Sequence, residues 1–490
     1  MKAKALSLIL PLLAVMSASE AQTLRPLAGW RYIAYDADFW QPFTKDIEAR
    51  AFKSAFESAH SRQDSADPAK NESRLAMAKA LRGLEYFQLA FDLLAEILET
   101  SPGSYAANEA LVELSTLLPS GTFDEERLKK AINRKSFAEV PHAALPLLGY
   151  FLVIGHLEQK QTRWMKGYKK FIEPESYWMA RLQYFKALNL TKENKIQDAI
   201  AALIEVENHK GANAQLKFDA RLQQARLHFE LADYPAAEKI YADLQSGDRN
   251  TGRILYERAW NQYYLKDYAL ALGMLESLKA PYFSPAIDPE QYILGSVILR
   301  DLCHYQEVKQ ISKTFFTSFN ETLNHIRKSR PLEQSPILMS MTLVRQPFRH
   351  LADVVDLMQK ESERFTREFK GSKYKKLAEQ YAKHIGEIKG RLSRRLDQPL
   401  RSEARRLLIA ADQIKLLDYV SELDKNRIQS VFESRGYKPE TADTLRFEKL
   451  YWPMRTPATE DSSRKTKKEF WFHEMPNLRV LVSDRCKAVE

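Results

Sequence analysis

Residues 225–244 read ARLHFELADYPAAEKIYADL, and residues 259–278 read AWNQYYLKDYALALGMLESL. Six positions of the first stretch recur in the second, each 34 residues further on. The matched pairs are Ala225 and Ala259, Leu231 and Leu265, Asp233 and Asp267, Tyr234 and Tyr268, Ala237 and Ala271, and Leu244 and Leu278. A fixed period of this length indicates a unit of two antiparallel helices, in which small Ala side chains let the helices approach closely. We therefore expect an all-α chain of stacked helix pairs.

The pattern continues outward from this centre. Upstream it is carried by Ala187, Ile196, Ala199, Leu203 and Val206, and downstream by Leu302, Tyr305 and Val308. An isolated N-terminal unit consists of Ala78, Leu84, Phe87, Ala90, Leu94, Ile97 and Pro102. These residues resemble the tetratricopeptide repeat family, which implies an α-solenoid over residues 71–330, clearest at 180–280. The alternative is an ordinary amphipathic helical bundle, which the fixed long period disfavours.

The resemblance also predicts a binding surface, because the first helix of each unit lines a concave groove in that family. The corresponding positions here are Arg181, Tyr184, Asp219, Leu222, Arg226, Phe229, Arg253, Tyr256, Trp260, Tyr263 and Tyr264. An aromatic and basic surface of this kind suits an extended peptide or a partner helix. Alternatively, several of these aromatic residues pack against the next unit. If the surface binds a partner, substituting Arg226, Trp260 and Tyr264 together should abolish capture without changing thermal unfolding.

Length and composition exclude several classes of protein. The 490 residues are 44% hydrophobic and contain 16 Gly and two Cys. This length predicts two to four domains with a large core. Collagen-like and disulfide-scaffold classes are excluded, because Gly is scarce and two cysteines form one bridge at most.

The N-terminus predicts an exported protein. Lys2 and Lys4 precede the apolar run Ala5 to Met16, and small residues lead to Ala21. This order is that of a secretory signal peptide over residues 1–21, cleaved after Ala21, although an N-terminal anchor is the alternative. The first cysteine is Cys303, so a lipoprotein is not expected. No transmembrane helix is expected either, because the apolar run from 145 to 157 is too short to span a bilayer.

The Lys-rich signal and the small number of cysteines together indicate a bacterial periplasmic protein. An N-terminal extension over 22–70 would follow the signal peptide. Cys303 and Cys486 could pair in an oxidising compartment, but the sequence leaves this open because the spacing of their Cα atoms decides it.

The basic charge is concentrated beyond the repeats. Residues 361–410 hold 14 Lys and Arg against 7 Asp and Glu, which is 14 − 7 = +7 of the chain's +10. Apolar residues at helical spacing predict a long helix that breaks at Gln398 and Pro399, so that residues 341–440 form a basic helical hairpin or a bundle against the last repeats. The charges are either a solvated face or a contact for anionic lipid or cell wall. The residues proposed for that contact are Lys373, Lys375, Lys376, Arg391, Arg394 and Arg395.

The tail, residues 441–490, predicts a linker followed by a small β-hairpin. Its arms would be Glu469–Met475 and Leu478–Asp484, around Pro476 and Asn477. The first arm, EFWFHEM, is similar to the tail of periplasmic repeat proteins of gliding and predatory bacteria, although it lacks the flanking glycines of those tails. The similarity implies association with an envelope motility or assembly complex.

No arrangement of catalytic residues, cofactor-binding residues or metal ligands is recognised. His473 and Glu474 open like a zinc-peptidase motif, but the second His is missing. We therefore expect a non-enzymatic periplasmic scaffold or adaptor that holds a protein partner of the cell envelope, without a cofactor and without nucleic acid. The alternative is a cell-wall-associated enzyme, or a regulator of one, that carries a helical solenoid.

Overall fold

The computed structural model of the chain describes residues 37–63, 69–134, 140–158, 165–244, 251–280, 288–345, 348–434, 450–451 and 477–486. These residues divide into two compact units. Unit 1 comprises Met1–Lys217 and His350–Leu392, and unit 2 comprises Phe218–Arg349 and Ser393–Glu490. The predicted signal peptide and the first 15 residues of the predicted N-terminal extension lie outside the described residues.

The described chain is almost entirely helical, which confirms the expected all-α fold. The helices of the first half are α1 (Ala37–Glu48), α2 (Phe52–His60), α3 (Ala69–Gly83), α4 (Phe87–Thr100), α5 (Tyr105–Leu117), α6 (Glu125–Arg134), α7 (Leu145–Glu158), α8 (Met165–Lys169), α9 (Tyr177–Lys192) and α10 (Ile196–Asn208). Those that follow are α11 (Ala214–Glu230), α12 (Tyr234–Asp243), α13 (Thr251–Tyr264), α14 (Tyr268–Ser277), α15 (Glu290–Asp301), α16 (Tyr305–Arg327), α17 (Pro336–Leu343), α18 (Phe348–Glu368) and α19 (Lys375–Ser434). Among the described residues, no helix combines the length and apolar character needed to cross a bilayer.

Five helix pairs share one turn geometry, which supports the predicted repeat. A non-glycine residue with φ between 59° and 64° connects the two helices of each pair. These residues are Glu85, Asn194, Ala232, Lys266 and Cys303. In each turn the next amide donates to the carbonyl five residues earlier, as from Asp233 to His228 at 2.9 Å and from Asp267 to Gln262 at 3.0 Å. This bond closes the first helix of the pair in the same way each time.

The sequence sets the start of the second helix in the two central pairs. The carboxylate of Asp233 accepts from the amide of Ala236 at 3.3 Å, and that of Asp267 accepts from Leu270 at 3.2 Å. An N-cap of this type satisfies an amide that has no partner inside the helix. The recurring Asp of the 34-residue period is therefore a helix cap. The recurring Ala residues are fully buried between the helices.

The segment 350–392 belongs to the core of unit 1, whereas in unit 2 the later part of α19 contacts the helices that follow the central repeats, as where Asp424 accepts from Arg300 of α15 at 3.0 and 2.9 Å. Phe365 and Tyr374 contact the ring of Phe56, with centroids 6.0 Å away in each case. The apolar stripe that includes Tyr381 and Ile388 is buried in the same cluster as the N-terminal helices. The sequence periodicity predicted this apolar stripe, but it does not indicate which part of the protein the stripe packs against.

Polar contacts fix the same segment within unit 1. Both carboxylate oxygens of Glu361 accept from the amide of Gln88 at 3.0 Å, and one of them accepts from Leu89 at 3.1 Å. Glu361 therefore caps the N-terminus of α4 from a distant part of the sequence. Burial raises the pKa of Glu361 above its ordinary value, although these amide donors oppose the shift.

The predicted helix break at Gln398 and Pro399 is wrong, because α19 runs without interruption from Lys375 to Ser434. A proline inside a helix removes one hydrogen bond and crowds the preceding turn. The flanking Leu396 and Leu400 are buried in unit 2, and we attribute the continuity of the helix to this packing. The predicted hairpin of two basic helices is thus replaced by one long helix after α18.

The C-terminal tail is only partly described. Its predicted first arm, Glu469–Met475, lies outside the described residues. The second arm contributes the strand Arg479–Val480, which pairs antiparallel with Leu450–Tyr451. Neither residue of that partner strand belonged to the predicted hairpin.

The described tail, residues 477–486, is attached to the repeats of unit 2. Cys303 and Cys486 form a disulfide with Cα atoms 5.2 Å apart, which settles the pairing that the sequence left open. The guanidinium of Arg479 donates to both oxygens of Asp267 at 2.9 and 2.7 Å. Leu478 is fully buried. The tail is thus part of the folded unit.

Candidate partner-binding surface

Six rings of unit 2 form a continuous aromatic surface. They are Phe229 of α11, Tyr234 of α12, Trp260, Tyr263 and Tyr264 of α13, and Tyr268 of α14. We call this set the aromatic face. Its residues lie at the end of a first helix or at the start of a second one, and Tyr234 and Tyr268 occupy equivalent places in successive repeats. The repeat itself therefore generates the surface.

Tyr264 is the centre of the aromatic face. Its ring stacks on Tyr234 with centroids 4.7 Å apart and an interplanar angle of 3°. It also contacts Tyr263 at 5.3 Å, Phe229 at 5.6 Å and Trp260 at 6.3 Å. Although it contacts four rings, Tyr264 remains 43% exposed. An exposed ring held rigidly by its neighbours is the kind of residue that anchors a partner at low entropic cost.

The arginines beside the aromatic face are paired within the chain. Glu257 accepts from Arg226 at 2.8 and 2.9 Å in a bidentate pair. The same carboxylate accepts from Arg253 at 2.8 Å and from the Tyr241 hydroxyl at 3.3 Å. The guanidinium groups of Arg226 and Arg253, which were predicted to bind carboxylates of a partner, therefore already bind the carboxylate of Glu257. Lys266 adds positive charge at the edge, with its Nζ 5.4 Å from the Tyr263 ring centroid.

Two predicted surface tyrosines also connect successive repeats. The hydroxyl of Tyr256 donates to Glu290 at 2.8 Å and accepts from the Trp260 indole at 2.9 Å. The hydroxyl of Tyr263 donates to Asp301 at 3.1 Å. Burial, reinforced by these carboxylates, raises the pKa of Tyr256 and raises that of Tyr263 to about 12. Packing against the next unit, the alternative considered for these aromatics, therefore applies to Tyr256, Trp260 and Tyr263.

Arg181 and Tyr184 belong to unit 1, so the structure does not place them on the aromatic face. Arg181 donates to Glu125 at 2.6 Å, and its guanidinium lies 5.2 Å from the Tyr150 ring centroid. Its guanidinium is thus engaged inside unit 1. Tyr184 is partly buried.

The six basic residues proposed for an anionic contact are divided between the units. Lys373, Lys375 and Lys376 are exposed in unit 1, and Arg394 and Arg395 are exposed in unit 2. Arg391 differs from these, because it forms an ion pair with Asp124, which is almost fully buried. That pairing makes Arg391 a structural residue of unit 1.

Sequence reasoning missed two members of the aromatic face. Tyr234 and Tyr268 were identified as repeat positions but not as surface residues, because the family comparison assigned binding to the first helix only. The available signal was their separation of 34 residues, with an aromatic residue five positions before each of them, Phe229 before Tyr234 and Tyr263 before Tyr268.

The remaining chemistry is sparse. Among the residues that the structure describes, no group of three or more His, Cys, Asp or Glu side chains is arranged to hold a metal ion. His473 and Glu474 lie outside those residues.

No protein-family model matches the chain. The DnaJ homolog subfamily C member 7 homolog of Dictyostelium discoideum is 28% identical to it over 155 residues, or 31% of this chain. The chain spans 27% of that relative's length. This partial similarity and the repeated helix pairs agree with a protein built from tetratricopeptide-like helical repeats.

Proposed function

We propose that the chain is a non-enzymatic scaffold or adaptor that binds a protein partner through the aromatic face of unit 2. The observation that carries this proposal is the exposed Tyr264, held by four neighbouring rings in a helical-repeat architecture. Rigid aromatic side chains supply contact area while losing little conformational freedom on binding.

The surrounding contacts favour an apolar partner segment over an acidic one. Glu257 already pairs with both Arg226 and Arg253, so an incoming carboxylate would have to compete with existing charge-assisted hydrogen bonds. An amphipathic helix or an extended segment with Leu, Phe or Trp needs no such exchange. Lys266 at the edge would favour a partner with an acidic residue beside its apolar anchors.

The scaffold is proposed to act in the periplasm, within an envelope complex connected with motility or secretion. Two independent features support export. The order of Lys2, Lys4 and the apolar run is that of a secretory signal, and the Cys303–Cys486 disulfide is typical of an oxidising compartment. The similarity of the tail to envelope repeat proteins of gliding and predatory bacteria supports the choice of complex.

Tyr264→Ala tests the binding surface, with Tyr419→Ala as its matched control. Tyr419 is a tyrosine of α19 that is 64% exposed and lies outside the aromatic face. The ligands are two synthetic peptides of equal length, one amphipathic with Leu, Phe and Trp, and one rich in Asp and Glu. Loss of a central aromatic anchor weakens binding by roughly 10- to 30-fold, which corresponds to about 1.4–2 kcal/mol.

We expect this loss for the apolar peptide with Tyr264→Ala and no loss with Tyr419→Ala. Equal binding by all three proteins, or preference for the acidic peptide, would contradict the proposal. The earlier triple substitution is less suitable, because Arg226 and Trp260 form hydrogen bonds within the repeats. It should lower thermal stability as well as binding.

Site-specific photocrosslinking at position 264 in the native cells would identify the partner. One recovered envelope protein would distinguish motility, secretion and cell-wall assembly. Turbidity loss of purified cell-wall sacculi on adding the protein would instead indicate an enzyme.

Two sets of exposed basic residues, Lys373, Lys375 and Lys376 in unit 1 and Arg394 and Arg395 in unit 2, are each proposed as a secondary contact with anionic lipid or cell wall. Binding to anionic vesicles or to sacculi should fall steeply with added salt, because such contacts are screened. Negligible binding at low salt would mean that these charges form only a solvated surface.

A further inference from the structure

The described tail is anchored to unit 2 by contacts of three kinds. At one end, Arg479 forms its bidentate pair with Asp267, and Leu478 lies against α14 at Gly273. In the middle, the buried imidazole of His304 hydrogen bonds through Nε2 to the carbonyl of Ser483 at 2.7 Å. At the other end, the disulfide joins Cys486 to Cys303.

Gly273 shows how closely the tail approaches the helix. A Cβ atom at this position would overlap the backbone carbonyl of Leu478. The tail therefore uses a contact that other residues at position 273 would block. Removing the tail would uncover a helix flank with a small central residue, the carboxylate of Asp267 and the imidazole of His304.

The two sulfur atoms of the disulfide have different polar surroundings. The hydroxyl of Tyr305 donates to Sγ of Cys303 at 3.2 Å. Sγ of Cys486 instead lies 3.3 Å from the carbonyl oxygen of Asp301. A hydroxyl donor stabilises negative charge on sulfur, whereas a carbonyl oxygen disfavours it. Cys303 is therefore the better leaving thiolate, and Cys486 is the sulfur that an external thiolate would attack.

We propose that the Cys303–Cys486 disulfide is an exchangeable latch, which a dithiol protein opens to release the C-terminal tail from α14 and from the turn before α16. This inference does not depend on the proposed function of the aromatic face. While the disulfide is closed, it holds the tail, residues 477–486, on unit 2 through a covalent bond. With the latch open, the attachment of the tail depends on the buried Leu478 and Val480, on a partly exposed ion pair, and on the hydrogen bonds of Ser483 with His304 and of Arg485 with Leu302.

A thiolate of the dithiol protein attacks Sγ of Cys486, the bond between the two sulfurs breaks, and its electron pair leaves on Cys303, next to the Tyr305 hydroxyl. The second thiol of the partner, as thiolate, then attacks the mixed disulfide and releases Cys486. The partner is oxidised to a disulfide, and this chain gains two electrons and, after protonation, two protons.

The direction of attack is tested on the full-length oxidised protein with a dithiol oxidoreductase whose resolving cysteine is replaced by Ser. This reagent traps the mixed disulfide, and peptide mass spectrometry locates it. We expect trapping at Cys486, and we expect Tyr305→Phe to slow it several-fold, because the leaving thiolate loses its donor. Trapping at Cys303, or an unchanged rate in Tyr305→Phe, would overturn the assigned direction.

The release itself is tested by hydrogen exchange on the oxidised, reduced and reoxidised protein. An open latch should accelerate exchange in residues 477–486 at least about tenfold, leave α12 and α16 protected, and reverse on reoxidation. Unchanged exchange in the tail would show that the other contacts suffice to hold it. Loss of protection throughout unit 2 would show a structural staple instead of a latch. Cys486→Ser without reductant provides the same comparison and excludes an effect of the reducing agent.

Discussion

Gly273→Ala and Gly386→Ala are predicted to change stability in opposite directions. Both glycines lie inside helices, where Ala is intrinsically favoured over Gly by about 0.5–1 kcal/mol. A Cβ atom at Gly386 meets no neighbouring atom within 4 Å, so this substitution should stabilise the protein by about that amount. A Cβ atom at Gly273 overlaps the backbone of Leu478, so the same substitution must displace the tail.

The cost at Gly273 follows from what the displaced tail loses. Leu478 is 0% exposed and Val480 is 2% exposed. Full burial of such side chains is worth roughly 1.5–3 kcal/mol each. Subtracting the gain in helix propensity from Ala leaves a net destabilisation of roughly 2–5 kcal/mol. The displaced tail regains conformational freedom, which brings the value toward the lower end of this range.

Urea unfolding gives the change in stability, and hydrogen exchange assigns it to a helix. We expect Gly273→Ala to lower the unfolding free energy and to accelerate exchange in residues 477–486, while Gly386→Ala protects the N-terminal part of α19. If Gly273→Ala is as stable as the native chain and its tail stays protected, the close approach of the tail to α14 is wrong.

Three further predictions concern separate parts of the chain. Burial, with Asp288 and Glu290 nearby, raises the pKa of Glu403 to about 7. The contribution of Glu403 to the free energy of unfolding should be complete below about pH 4.5 and lost as the pH rises through 7. Glu403→Gln should make the free energy of unfolding less dependent on pH across that range. Pro399→Ala should stabilise α19 by up to about 3 kcal/mol, because the helix regains a hydrogen bond; a lower urea midpoint would contradict this. Edman sequencing of the secreted protein should begin at Gln22, and a start at Met1 would exclude cleavage.

The Glu403 prediction rests on a specific cluster of charges. Glu403 is 4% exposed and accepts from Arg406 at 2.7 Å, and Arg406 also donates to Asp288 at 2.7 Å. Arg345 forms an ion pair with Glu403 as well. Together with Glu290, three carboxylates face two guanidinium groups, so the fully ionised cluster would carry a net negative charge in a poorly solvated place. Retaining one proton removes that charge.

Local regularities of the fold were predictable from the sequence. The 34-residue period from Ala225 to Leu278 predicted two helix pairs with closely packed Ala residues, because both features are determined by nearby residues. The cap role of the recurring Asp residues was not predicted and emerged from the structure. The central part of the candidate surface, including Trp260 and Tyr264, was expected from the resemblance to the tetratricopeptide family. Tyr234 and Tyr268 were not predicted as surface residues, because their exposure depends on how the rings of successive repeats stack.

Long-range contacts were not predictable in the same way. The stripe containing Tyr381 is equally suited to any apolar surface, so its place in the core of unit 1 depends on shape complementarity with residues such as Phe56. The pairing of Arg391 with Asp124 and of Glu361 with the amide of Gln88 depends on that placement. The helix through Pro399 shows that a local breaking signal loses when flanking leucines are buried.

The discontinuity of unit 1 has a consequence for biosynthesis. Its first segment ends at Lys217, but its core also needs His350–Leu392. Synthesis and the proposed export both deliver the chain from its N-terminus, so about four-fifths of the 490 residues must arrive before this unit can close. Until then, Phe56, Tyr86 and neighbouring apolar residues lack part of their cover, so the nascent chain would need protection from aggregation. Translation order and folding order are thereby uncoupled, and the first unit to be synthesised cannot be completed before most of the second has emerged.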